Sequence, residues 1–73
     1  MKLICENNIT KVYDDGDYYR YVSKGREDEL ISKKEKPQFP LALVLKWGFT
    51  AVDIDYLNNL SDNLEELYKN RFK

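Results

Sequence analysis

Histidine is absent from this 73-residue chain, and cysteine occurs once, at Cys5. The two shortages exclude a disulfide framework and a zinc site built on histidine or on paired cysteines. The first also removes the side chain that most often serves as general base near neutral pH. Long apolar runs are missing too: the longest is Leu41-Ala42-Leu43-Val44-Leu45, far short of the ~20 residues a membrane-spanning helix needs. Neither sign of charge dominates. Twelve Lys+Arg stand against 13 Asp+Glu, for a net charge of −1, which excludes bulk electrostatic attraction to nucleic acid.

What is present is enough for one small domain over residues 1–73, with 42% apolar and 34% charged residues. A chain of this size buries only about 60% of its unfolded surface, so its stability is modest. Met1-Lys2-Leu3-Ile4-Cys5 runs directly into Glu6-Asn7-Asn8, without the apolar stretch of a secretory signal. A lone thiol suits a reducing compartment. The expected location is therefore the cytoplasm, with no membrane association. Lys outnumbers Arg nine to three, and Asn, Tyr and Asp are abundant. These residues have A/T-rich codons, and the small size adds to a reading as a phage or mobile-element product, a viral protein.

Three segments separate along the chain. Residues 1–23 read as an antiparallel β-meander, 24–39 as a polar connection, and 40–72 as two or three helices, giving an α+β domain. Asp15-Gly16 is a strong hairpin signal, because the favoured two-residue turns need positive φ. Strand-like residues flank it at 9–13 and 18–22, and Asn7-Asn8 offers a second tight turn behind a first strand at 2–6. Two-residue turns at these places set Val12 opposite Tyr19, Thr10 opposite Tyr21, Cys5 opposite Thr10 and Leu3 opposite Val12. One face then collects Leu3, Cys5, Thr10, Val12, Tyr19 and Tyr21, carries no charge, and is the expected core face. The other collects Lys2, Ile4, Glu6, Ile9, Lys11, Tyr13, Tyr18, Arg20 and Val22. Lys11 would face Arg20, a like-charge opposition that argues for a longer, bulged loop as the alternative.

Leu30-Ile31 is a candidate short fourth strand. Pro40 suits the start of a helix that runs to about Trp47 and stops at Gly48. Thr50 is the expected cap of a second helix with Ala51, Ile54 and Leu57 as its apolar stripe. Ser61 is the expected cap of a third, one long helix over 50–70 being the alternative. Tyr19, Tyr21, Trp47 and Phe49 are expected in the core.

Residues 43–57, with Gly48-Phe49-Thr50 followed by Ile54 and Leu57, resemble a helix-turn-helix. Val44 departs from the small residue usual there. The resemblance implies DNA binding, but the would-be recognition helix carries Asp53 and Asp55 and no Arg or Lys, and carboxylates repel phosphates. Trp47-Gly48-Phe49 and Asn63-Leu64-Glu65 also resemble the loop and the third-helix start of a ubiquitin-associated-type three-helix module, at a spacing about one residue short.

Catalytic signals are nearly missing. Cys5 has no histidine partner and reads as a buried, inert thiol. Asp14-Asp15-Gly16-Asp17 reads as a turn rather than a cation site. No metal site and no cofactor are expected, and the chain reads as non-enzymatic. Aromatics are plentiful, with six Tyr, three Phe and one Trp. The expected function is a protein-binding regulator or inhibitor, with a helix-turn-helix DNA binder or a structural, homo-oligomeric subunit as alternatives. Two candidate binding sites follow. One is the tyrosine/arginine patch of Tyr13, Tyr18 and Arg20, whose composition matches an interface hot spot. The other is an acidic helical face of Asp53, Asp55, Asp62 and Glu66, suited to a partner with a basic surface; its charges are contiguous in sequence and unopposed, so it is the preferred site of the two.

Overall fold

The computed structural model describes residues 1–60. In chain order they form β1 (Lys2–Glu6), β2 (Thr10–Asp15), β3 (Tyr18–Ser23), β4 (Glu29–Ser32), α1 (Phe39–Trp47), β5 (Thr50–Ala51) and α2 (Ile54–Leu60). The fold class is α+β. The strands make one antiparallel sheet in the order β4-β3-β2-β1-β5. The expected meander is β1–β3, Leu30-Ile31 lies in the fourth strand, and β5 is an unexpected fifth strand on the far side of β1. Two helices are seen among the described residues, and the expected third helix lies outside them. None of the described helices is long and apolar enough to cross a membrane.

The β2–β3 turn is displaced from the expected position. Asp15 pairs with Tyr18, so the central turn residues are Gly16 and Asp17. Gly16 has φ 63°, and no non-glycine among the described residues has positive φ. That is the signature of a turn needing left-handed backbone only at its first central residue, which glycine adopts without a Cβ penalty. The register moves by two residues from the expected one, so every side chain keeps its expected face. It also removes the like-charge opposition: Lys11 now faces Val22, and Arg20 faces Tyr13.

The first hairpin departs further. Glu6 pairs with Lys11, and the turn between them is closed by the Asn7 side chain rather than by left-handed backbone. Asn7 Oδ1 accepts the N–H groups of Ile9 and Thr10, at 2.9 and 2.6 Å. Between Leu3, opposite Tyr13, and Cys5, opposite Val12, the ladder shifts register at Ile4. Such a bulge puts two residues opposite one and turns both toward the same side. Ile4 and Cys5 are consequently both fully buried. The expectation that Ile4 faces outward and Leu3 inward is thus overturned, because a strict period of two does not survive a bulge.

The core gathers Ile4, Cys5, Val12 and Tyr19 from the sheet and Leu41, Leu43, Phe49 and Leu57 from the helical half. Tyr21, Ile31 and Phe39 pack around it. The Phe39 ring leans on Tyr19 and Tyr21, with centroids at 6.2 and 6.0 Å, a separation typical of tilted aromatic pairs. Pro40 lies in the first turn of α1 and is buried, and Gly48, at φ 73°, closes the helix with its N–H directed at the Leu43 carbonyl. Trp47 was expected in this core but is 71% exposed. Leu43 and Phe49 occupy the inward positions on either side of the helix end, leaving the last helical residue outside.

Thr50 does not cap a helix. It pairs with Glu6 in β5, as Ala51 pairs with Cys5, and the helix starts later. The cap is Asp53, whose Oδ1 accepts the Tyr56 N–H at 3.0 Å, the usual work of an aspartate at that position. Ile54 is therefore 63% exposed, and Leu57 is the buried residue of α2.

Truncation at the bulge checks this packing. Ile4→Ala removes a fully buried side chain and is expected to cost about 3 kcal/mol in chemical denaturation. Ile54→Ala, at an exposed site, should stay within about 0.5 kcal/mol. Equal losses would contradict the bulge.

Candidate functional site

Alternation along the strands sends Leu3, Lys11, Tyr13, Asp15, Tyr18, Arg20, Val22 and Leu30 to the face opposite the core. Across four strands, Leu3, Tyr13, Arg20 and Leu30 form one cross-strand row. Tyr18 lies two residues from Arg20 on β3 and is 45% exposed, and Leu30 is 51% exposed. Neither described helix covers this face, since the buried residues of both belong to the core on the other side. The structure brings Tyr13, Tyr18 and Arg20 together.

Arg20 is held in place. Its Nε donates to Asp15 Oδ2 at 2.9 Å and its Nη1 to Asp28 Oδ2 at 3.1 Å. The two carboxylates raise its pKa and hold the guanidinium from both sides. A guanidinium ordered on the same sheet face as tyrosine side chains is suited to stacking against aromatic or peptide surfaces. The order comes from Asp15, just before the Gly16 turn, and Asp28, at the entry to β4. The turn chemistry thus also positions the side chain.

The second set of site residues is not assembled in the same way. Asp53 is committed to the fold: besides capping α2, its carboxylate pairs with Lys2. The Lys2 ammonium and the backbone N–H of Tyr56 hold its carboxyl below the usual carboxylate range. Asp55 is exposed in the first turn of α2. Asp62 and Glu66 lie outside the described residues, as does Asn63-Leu64-Glu65. The tight turn between two helices implied by the helix-turn-helix resemblance is interrupted by β5.

A third polar cluster was not singled out in the sequence. Asp14 Oδ1 accepts from Lys33 Nζ at 2.7 Å, and the same ammonium lies 5.4 Å from the centre of the Tyr19 ring. The Tyr19 hydroxyl donates to the Pro37 carbonyl, and the Tyr56 hydroxyl lies close to Asp14 and Tyr19. Burial pushes both tyrosine hydroxyls up, Tyr56 strongly so with Asp14 beside it. Burial also pushes Asp14 upward, but Lys33 and Tyr56 outweigh it and hold the carboxyl below its ordinary value. Each group has a partner inside the cluster, which ties β2, β3, the segment before α1 and α2 together. The only sequence signal was Asp14 itself, at an inward position of β2.

Cys5 is fully buried with its thiol directed at the Pro40 carbonyl, 3.9 Å away, and desolvation pushes its pKa up to about 12. The thiolate a nucleophile needs is not formed near neutral pH. Among the described residues no three His, Cys, Asp or Glu side chains converge as metal ligands.

Comparison with known proteins finds no matching family model, no matching curated protein and no matching solved structure.

The Asp14 cluster makes stability pH-dependent. Its folded pKa lies below the unfolded value, so its contribution is complete above the ordinary carboxylate range and is lost as pH falls through it. Thermal melts between pH 7 and pH 3 should show Asp14→Asn less stable than the wild type at pH 7. The gap should narrow steadily toward pH 3.

Proposed function

We propose that this chain is a small, non-enzymatic protein-binding regulator or inhibitor that engages its partner through the open face of the sheet. The observation that carries the reading is the arrangement around Arg20. A guanidinium clamped by Asp15 and Asp28 lies in one row with Tyr13 and Leu30 and next to the exposed Tyr18. Tyrosine and arginine dominate binding hot spots because each offers a large contact area together with polar groups. Prior ordering of Arg20 lowers the side-chain entropy lost on association. The buried, protonated Cys5 and the absence of histidine favour a binding role over nucleophilic catalysis. Of the acidic residues named for the alternative surface, Asp53 is occupied by its cap and by Lys2, which favours the sheet face.

Affinity capture from the native host, followed by mass spectrometry and binding measurements on the retained protein, tests this. Tyr18→Ala and Arg20→Ala should each weaken binding by about 30-fold, with little dependence on salt. Asp55→Lys should leave it unchanged. Loss on Asp55→Lys with retention in Arg20→Ala would move the site to the acidic face.

A further inference from the structure

The last turn of α1 carries the single tryptophan of the chain out of the core. Trp47 lies beside Ile9, itself 62% exposed, and the two line a cleft of about 420 Å³ floored by Tyr21, Leu43 and Phe49. A second cleft, of about 430 Å³, follows the other flank of Trp47 along Lys36, Phe39 and Lys46. A third brings in Arg26 and Glu29 near β4. All three share Leu43, so they adjoin one another between α1 and the ends of the strands, the two that flank Trp47 being mainly apolar.

The charge of this joint depression is one-sided. Among the described residues, Lys36, Lys46 and Arg26 line it, against one carboxylate, Glu29. None of these three cations is in an ion pair with another described residue. In a chain whose net charge is −1, this is a local excess of positive charge around an apolar floor. An exposed tryptophan at such a place costs solvation and has no packing role that its burial would reveal.

We infer that this depression binds an acidic peptide segment of a partner protein. Bulky apolar side chains of the segment fill the clefts on both flanks of Trp47, over Leu43 and Tyr21. Its carboxylates face Lys36, Lys46 and Arg26. The apolar floor gives affinity and the cations select for acidic flanks and speed encounter. Single-stranded nucleic acid fits less well, because of the described aromatic rings lining the depression only Trp47 is exposed, Phe49 being buried and Tyr21 and Phe39 half-buried, so successive bases find no run of open platforms. The site shares no residue with the open sheet face and stands independently of the reading given for it.

Selection of a displayed library of random 15-residue peptides on the full-length protein tests the inference. Trp47, as the sole tryptophan, reports binding of a selected peptide by its own fluorescence. The expected winners carry Asp or Glu around large apolar residues and shift Trp47 emission to the blue. They should lose about 30-fold in affinity on Ile9→Ala and bind more weakly as salt rises. The double variant Lys36→Glu/Lys46→Glu should abolish the acidic preference while its thermal melt stays unchanged, and Arg20→Ala should bind as the wild type does. Failure to enrich any sequence, winners that are basic or neutral, or winners indifferent to Ile9→Ala would overturn it. So would a larger saturable Trp47 response to a thymidine oligonucleotide than to any selected peptide.

Discussion

Ile4 occupies the position where the β1–β2 ladder shifts, and so it and Cys5 both enter the core. The bulge does more than add a buried side chain. The Ile4 carbonyl accepts the N–H groups of both Val52 and Asp53, at 2.8 and 3.1 Å. That junction fixes the chain where it leaves β5, and with it the start of α2 one residue later. The Asp53 carboxylate caps that helix and pairs with Lys2 on the same strand as Ile4. One irregularity in the first strand therefore places the last described helix. A small core has few ways to gain buried area, and two consecutive inward side chains from one strand are an efficient one.

The Asp14 cluster performs a matching task next to the bulge, Asp14 pairing with Lys2 across the β1–β2 ladder. Lys33 and Tyr56 come from segments far apart in sequence, and each meets Asp14 at the sheet. A carboxylate at an inward strand position is costly unless its lone pairs are filled. Here the Lys33 ammonium, with the Tyr56 hydroxyl close by, offsets that cost, and these two groups belong to the connection before α1 and to α2. The inner face is thereby closed by polar as well as apolar contacts, while neither described helix covers the Arg20 row on the outer face.

The parts of this fold that were legible in sequence are those governed by local rules. Asp15-Gly16 announced the β2–β3 hairpin, and Gly48 announced the end of α1, because positive φ at each favours glycine. The inward set Val12, Tyr19 and Tyr21 followed from alternation, and a register shift of two left it intact. The parts that were not legible depend on contacts distant in sequence. Nothing near Ile4 signals a bulge. The pairing of Thr50 and Ala51 with Glu6 and Cys5 overrode a local capping pattern that looked adequate. The site fared similarly. Tyr13, Tyr18 and Arg20 could be placed on one face by parity alone, but the clamp from Asp28 arises only when β4 joins the sheet. The exposure of Trp47 was hidden because almost every residue of α1 is apolar, so periodicity gave its outward side no direction.

The two margins of the sheet are unequal but both are slight. One edge is β4, of four residues, followed by Lys33-Lys34; the other is β5, of two residues. Among the described residues, an incoming strand would find only short runs of unpaired backbone groups on β4 and on β5 itself. Short margins and flanking lysines are the means by which sheet proteins resist templating one another into aggregates. An uncapped β2 or β3 at either margin, each rich in aromatic or β-branched residues, would be a far better template. The ordering that keeps these strands interior thus serves colloidal stability, and it directs recognition to the faces of the molecule and away from its seams.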